Sequence, residues 1–224
     1  AVPQNKAYEW TTTPQTEVFI APYEAKNIYM RMLNNSNKPW NVSEYPLINV
    51  FNEYFGGGMN SIVFQELRET RGLAYNANAF YVTPPKLHNP EYTLMHIISQ
   101  NDKMMDCINV FKEITDKLPA NDAALDIAKQ SLMKSIAANR ITKYNLITTY
   151  LYNKERGIDY DINKPLYEEI PSLTMQDVVN FEQKNIAGKP LHYIILGDEK
   201  ELDMKALEKV GPVKKLTLEQ IFGY

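Results

Sequence analysis

The segment His88-Asn89-Pro90-Glu91-Tyr92 is the part of this sequence that comes nearest to a metal-binding motif. A catalytic zinc site on a helix needs two histidines on one face and a glutamate placed as general base. The segment imitates the inverted pattern H-x-x-E-H, but Tyr92 stands at the second histidine position and Pro90 would interrupt a helix. We therefore expect this chain to hold no metal ion.

The other two histidines and the single cysteine offer no replacement for that site. His96 and His192 lie in strand-like apolar patterns, which favours hydrogen-bonded structural histidines. Cys107 lies in a helical apolar pattern and has no neighbouring histidine. A lone cysteine forms no intrachain disulfide, so we expect a buried thiol that is not a nucleophile.

The segment 55–75, FGGGMNSIVFQELRETRGLAY, is the most informative stretch of the sequence. Its pattern predicts a helix, a glycine turn, a second helix, a second glycine turn and a strand. The glycines at 56–58 do not form a phosphate-binding loop, because no Lys-Ser/Thr pair follows at the required distance. We interpret them as a helix end and a tight turn.

Within this segment, Arg68 lies near a helix C-terminus and Tyr75 lies early in the following strand. A helix end and the strand that it feeds can fold back, which would bring the two side chains to one edge. Together they would be hydrogen-bond donors for a peptide carbonyl or a developing oxyanion. The alternative is that Arg68 pairs locally with Glu66 or Glu69, or caps the helix, and that Tyr75 is a core residue.

Period-two alternation predicts the strands that would position these residues. Ile28, Met30 and Met32 share one face of a strand over 27–34, which we expect to pair with an opening strand over 17–21. The polar residues 35–39 are predicted to form a turn. Further strands are predicted over 73–82 and 91–99 as an antiparallel pair, over 191–196 as a fully buried strand, and over 213–216.

Apolar residues at helical spacing predict the helices. Ser43 is expected to cap the first of them, which carries Pro46 in its first turn and ends at Gly56. Thr174 is expected to cap a helix that runs through Phe181. The other helices are predicted from near residue 60 to 72, and over 104–118, 125–136, 145–155 and 204–210.

The composition is that of an ordinary globular chain. It has 224 residues, 44% of them hydrophobic, and its 24 basic and 27 acidic residues give a net charge of −3, so we expect no nucleic-acid partner. We also expect no membrane segment, because no run approaches the ~20 apolar residues that a membrane helix needs. We divide the chain into a linker, 1–15, and a single domain, 16–224. The element order predicts an α+β domain whose mostly antiparallel sheet packs against helices.

The segment 55–75 closely resembles the glycine turn and the L-R-E-x-R-G-L-A-Y signature of the insulinase/pitrilysin/mitochondrial-processing-peptidase family of zinc metallopeptidases, the inverzincins. The rest of the chain agrees more loosely, including Leu173-Thr174 before a helix and the YIILGD sequence at 193–198. The resemblance implies a processing-peptidase-like domain.

The resemblance further implies a clam-like chamber built from two homologous halves. One half holds zinc through H-x-x-E-H and a distant glutamate. In the other half, an arginine and the tyrosine seven residues later face the zinc and bind the substrate backbone. These positions match Arg68 and Tyr75, which are therefore expected to bind peptide and to assist catalysis in trans. The strand that follows resembles the edge on which such peptidases hold peptides by β-augmentation.

On this resemblance the chain is expected to be the non-catalytic C-terminal domain of a zinc metallopeptidase and to be inactive alone. Its partners would be a zinc-bearing N-terminal half or subunit, which supplies the zinc, and a peptide substrate. The polar start without an initiator Met and the ending LTLEQIFGY suggest the last domain of a longer, soluble protein, with any signal peptide upstream. Two alternatives stay open. The first is a structural or peptide-binding module, or a non-catalytic subunit of a pseudo-peptidase, with no role in chemistry. The second is an unrelated α+β domain.

Overall fold

The computed structural model describes residues 9–223, which fold around a six-stranded mixed sheet. The strands are β1 (Glu17–Pro22), β2 (Asn27–Pro39), β3 (Ala74–Val82), β4 (Pro90–Gln100), β5 (His192–Gly197) and β6 (Val213–Lys215). Their order across the sheet is β3-β4-β2-β5-β1-β6. Neighbours from β3 to β5 are antiparallel, whereas β1 runs parallel to both β5 and β6.

One face of the sheet carries the core. Ile28, Met30 and Met32 are fully buried on that face, as the alternation of β2 predicts, while Tyr29 on the opposite face is exposed. The same cluster extends from β1 to the helix near residue 207. The predicted α+β class is therefore confirmed.

The helices are α1 (Tyr45–Phe55), α2 (Ile62–Phe64), α3 (Met104–Asp116), α4 (Asp122–Ala138), α5 (Lys143–Glu155), α6 (Asn163–Glu169), α7 (Met175–Asn185), α8 (Met204–Val210) and α9 (Leu218–Phe222). Helix α2 continues as a π-helix through Gln65–Thr70. The sequence pattern missed α6 and α9, which are short and bury few residues.

The predicted turn over 35–39 is wrong, because β2 continues through it to Pro39. The register with β4 shifts between Asn34 and Lys38, so the strand bulges there. Asn37 takes a left-handed φ of 55°, a conformation that asparagine tolerates. Thr13 accepts a hydrogen bond from the backbone N–H of Asn35 at 3.0 Å, which ties the chain before β1 to this bulge.

Two expectations about strand placement are also wrong. The opening strands β1 and β2 do not pair, because β5 lies between them. Strand β5 is not buried on both faces either: Tyr193 and Ile195 face the core, while Ile194 and Leu196 are partly exposed. The continuous apolar sequence of β5 therefore does not mean that both faces of this strand are covered.

Of the two predicted helix caps, the one at Ser43 is wrong and the one at Thr174 is confirmed. Asn41, rather than Ser43, caps the start of the first helical segment, and its side chain accepts hydrogen bonds from both N and Oγ of Ser43. Thr174 caps α7 as predicted, and Asp177 completes a capping box with it.

The predicted division into a linker, 1–15, and a domain, 16–224, stays a prediction. Residues 1–8 lie outside the described residues, and within 9–15 the side chain of Thr13 is buried. Across residues 9–223, no helix is both long enough and apolar enough to span a bilayer.

Candidate functional site

Arg68 and Tyr75 lie side by side at one end of the edge strand β3. The guanidinium carbon of Arg68 is 6.0 Å from the centroid of the Tyr75 ring. The Arg68 side chain is 46% exposed and Tyr75 is 78% exposed, so both groups are accessible to a ligand. The predicted proximity is present, and the alternative that Tyr75 is a core residue is wrong.

The backbone between the two residues explains this proximity. Arg68 lies in the π-helical turn, and Gly72 follows with a left-handed φ of 58° that reverses the chain. The N–H of Leu73 then bonds the carbonyl of Leu67 at 2.8 Å. Tyr75 is the extra residue of a β-bulge, since Ala74 pairs with Ser99 and Asn76 pairs with Ile98. Bulges re-aim side chains, and π-helical turns are frequent at functional sites.

The Arg68 guanidinium stacks on aromatic rings and has its N–H groups available. Its carbon lies 4.8 Å from the centroid of Phe64, one helical turn earlier. Its Nε lies 3.7 Å from a carboxylate oxygen of Glu69, too far for a hydrogen bond, and an exposed ion pair of this kind is weak. Sequence reasoning missed Phe64, although its i,i+4 spacing to Arg68 signals the contact.

Arg71, three residues away, makes contacts of a different kind. It donates two hydrogen bonds of 3.0 Å to the carboxylate of Glu113 and lies 3.3 Å from Glu66. These carboxylates raise the pKa of Arg71, and Arg71 in turn lowers the pKa of Glu113. Arg71 therefore joins the signature to α3, whereas the Arg68 side chain makes no hydrogen bond to residues 9–223.

The outer edge of β3 is only partly free. Asn52 of α1 bonds both the N–H and the carbonyl of Tyr81, and the Ala79 N–H points to the Gly56 carbonyl at 3.5 Å. A Cβ on Gly56 would lie 2.1 Å from the Ala79 carbonyl oxygen, so the close approach requires glycine. An added peptide strand would therefore find room beside Ala74–Asn78 only.

The motif-like segment at 88–92 has no helical framework. His88 lies in the loop before β4, and Glu91 lies within β4 itself. The Glu91 carboxylate is buried, 2.9 Å from Nζ of Lys38, and accepts a hydrogen bond of 2.8 Å from the Tyr81 hydroxyl. Among residues 9–223, no three His, Cys, Asp or Glu side chains group so that they could hold a metal ion.

The remaining candidate residues lie within the sheet and core. His96 lies between β2 and β3, where burial and the charge of Arg31 lower its pKa. A hydrogen bond with the backbone of Met30 raises the pKa in the opposite sense, and only Nδ1 has no hydrogen-bond partner among the described residues. His192 faces Glu17 at 3.6 Å, beyond hydrogen-bond reach. Cys107 is fully buried as predicted, and burial raises the pKa of its thiol.

Comparisons with known proteins agree with this fold. Residues 2–132 match the family described as "Peptidase M16 inactive domain". The peptidase M16 inactive domain from Pseudomonas fluorescens has a TM-score of 0.71 and 14% identity, over 96% of this chain and 48% of that chain. A protease from Helicobacter pylori has a TM-score of 0.69 and 14% identity, over 88% of this chain and 47% of that chain.

A chain of complex III2 from Candida albicans, with Inz-5 bound, has a TM-score of 0.67 and 12% identity, over 88% of this chain and 49% of that chain. At these identities the structural likeness shows the fold alone. The chain spans about half the length of the solved chains that it matches. No curated protein sequence matches it.

Proposed function

This chain belongs to the peptidase M16 inactive-domain family, and on that premise we propose that it is the substrate-binding, non-catalytic domain of a zinc metallopeptidase. It closes a chamber opposite a zinc-bearing partner half, which hydrolyses the peptide. Arg68 and Tyr75 are the residues of this chain that bind the substrate.

The observation that carries the proposal is the exposed pair of Arg68 and Tyr75 beside the free part of the β3 edge. The guanidinium has five N–H donors, and the Tyr75 hydroxyl adds one more. Stacking against Phe64 holds the guanidinium plane without consuming those donors. A peptide beside Ala74–Asn78 would therefore meet donors that can orient its carbonyl groups and stabilise negative charge on oxygen.

The residues described in this chain do not fit a zinc site. His88 lies in a loop, and the Glu91 carboxylate is buried against Lys38 and Tyr81. We therefore assign zinc and the general base to the partner half, and only substrate binding and orientation to this chain.

The proposal is tested by Arg68→Ala in the protein that carries both halves. Loss of one such donor typically lowers kcat on the order of 100- to 1000-fold. Arg68→Lys keeps the charge but loses the planar fork, so it should recover only part of the activity. Arg71→Ala is the matched control, because Arg71 bonds Glu113 and is expected to affect stability without a comparable loss of kcat.

Zinc content and peptide cleavage would be measured on every variant. If Arg68→Ala keeps kcat/KM within about threefold of the unsubstituted protein while zinc stays bound, Arg68 has no part in the reaction. Tyr75→Phe tests the hydroxyl separately, since it preserves the ring beside the guanidinium.

A second candidate function is a structural or peptide-binding module that takes no part in chemistry, as a subunit of a pseudo-peptidase. Two observations favour it: Arg68 already stacks on two rings, and the fold resembles a chain of complex III2. This function predicts that Arg68→Ala weakens binding of a peptide, or of a neighbouring subunit, in a protein whose partner half also lacks zinc.

A further inference from the structure

Helix α5 and the segment before it form an arm of exposed side chains. Every residue from 137 through 152 is exposed. Tyr144 is 79% exposed and Ile147 is 63% exposed. The large apolar side chains of the arm are Ile141, Tyr144, Leu146, Ile147, Tyr150, Leu151 and Tyr152. Exposed large apolar side chains concentrated in so short a segment mark an interaction site rather than an ordinary monomer surface.

The arm is fixed to the domain at its C-terminal end. The Arg156 guanidinium carbon lies 4.6 Å from the Trp40 ring centroid, and the guanidinium donates a hydrogen bond of 3.0 Å to Thr83 Oγ1. The Glu155 carbonyl accepts a hydrogen bond of 2.9 Å from the Leu87 N–H in the β3–β4 loop. The C-terminal end of the arm therefore has a fixed position on the domain.

The distribution of apolar residues around α5 indicates what covers them. Successive residues turn by about 100° around a helix, so Leu146, Ile147 and Tyr152 point in widely different directions. A helix lying on a membrane surface needs a polar face toward water. A helix that is apolar on most sides is instead covered by protein, as in a groove.

The charge of the arm adds a second constraint. Arg140, Lys143 and Lys154 lie in a stretch with no acidic residue between Asp126 and Glu155, although the whole chain has a net charge of −3. A complementary surface therefore carries carboxylates around its apolar centre. The same positive charge disfavours pairing of the arm with the arm of a second copy.

We propose that this arm, residues 137–154, docks into an apolar, acid-rimmed groove on the partner half of the same peptidase. The inference rests on the proposed function for the existence of that partner half. The lengths of the solved relatives support such a partner half, because this chain matches only 48% and 47% of the two chains from Pseudomonas fluorescens and Helicobacter pylori.

The experiment is limited trypsin digestion, with cleavage after Arg140 and Lys143 followed by mass spectrometry. The protein that carries both halves is compared with this chain alone, after its circular dichroism spectrum and a cooperative urea transition have established that the isolated chain is folded. Docking is expected to slow cleavage at these sites by about tenfold or more, since a covered helix must open before it is cut. The triple variant Tyr144→Ser, Ile147→Ser, Leu151→Ser should restore the fast cleavage of the chain alone.

Because the three substituted side chains are exposed, the variant should keep the far-ultraviolet circular dichroism spectrum and Tm of this chain. Leu218→Ser is the matched control, an exposed apolar residue outside the arm whose loss should leave the protection unchanged.

Equal cleavage rates with and without the partner half would overturn the proposal. If the isolated chain becomes more protected from trypsin as its concentration rises, the arm binds a second copy of the chain. If only vesicles rich in phosphatidylglycerol protect the arm, it binds a membrane. Either result would overturn the proposal. Zinc content and peptide cleavage, measured on the same sample, separate this test from the proposed function. If the arm is protected in a protein that holds no zinc and cleaves no peptide, the docking proposal is supported and only the proposed peptidase role is refuted.

Discussion

Glu182 of α7 makes the stability of this domain depend on pH in an unusual direction. The residue is 1% exposed, and its Oε1 has no hydrogen-bond partner among the described residues. Burial, reinforced by the charge of Asp116, raises its pKa from the ordinary 4.5 to about 7. The folded protein therefore holds this proton more tightly than the unfolded chain does.

The linkage between proton binding and folding sets both sign and size. Below about pH 4.5 the Glu182 carboxyl is protonated in both the folded and the unfolded state, so it does not affect the free energy of unfolding. Between about pH 4.5 and 7 the carboxyl ionises in the unfolded chain but stays protonated in the folded protein, so stability falls as the pH rises. At 1.36 kcal/mol per pH unit, the loss across this window is about 3 kcal/mol, and above pH 7 it stays constant.

The perturbation is Glu182→Gln, which keeps the shape and removes the titration. We expect the variant to match the unsubstituted chain at pH 4.5 and to exceed its free energy of unfolding by about 3 kcal/mol at pH 8. Urea unfolding at both values measures this difference, in which the titrations common to both proteins cancel.

Two further variants sharpen the assay. Asp116→Asn removes the second cause of the shift, so it should shrink the loss of stability without abolishing it. Glu208→Gln changes an exposed carboxylate on α8 and should reproduce the unsubstituted profile. A stability difference between Glu182→Gln and the unsubstituted chain that stays flat from pH 4.5 to 8 would refute the reasoning.

Two substitutions test the packing that positions the candidate site. Gly56→Ala should destabilise the domain by about 2 kcal/mol or more, because its Cβ would meet the Ala79 carbonyl oxygen at 2.1 Å. Gly58→Ala, whose Cβ would meet only Glu53 at 3.8 Å, should change the free energy of unfolding by less than about 0.5 kcal/mol. Equal losses of stability for the two glycine variants in urea unfolding would contradict this account. Thr174→Ala removes one side of the capping box with Asp177 and should cost about 1 kcal/mol in the same assay; an unchanged midpoint would show that the cap adds no stability.

The local pattern of the sequence was sufficient for most elements. The period-two alternation of Ile28, Met30 and Met32 identified β2 and its buried face, and Thr174 marked the start of α7. Such signals succeed because they arise from neighbours in the chain: a helix or strand face must be apolar where it meets the core.

The pairing of strands was not available from the same signals. Strand β5 separates β1 from β2, yet nothing local to β1 specifies a partner more than 170 residues away. The sequence between Asn34 and Lys38 is compatible with both a turn and a bulge, because asparagine and serine occur in both structures, and pairing with β4 decides for the bulge.

For the candidate site, the sequence by itself determined the local framework, namely the glycines that turn the chain between Arg68 and Tyr75, and its family resemblance singled out these two residues as the proposed substrate contacts. Only the tertiary structure decided that the guanidinium and the ring lie 6.0 Å apart, because the π-helical turn and the bulge at Tyr75 leave no periodic trace in the sequence. It also decided that Glu91 is buried against Lys38 and that α5 is exposed, since burial depends on elements distant in the chain.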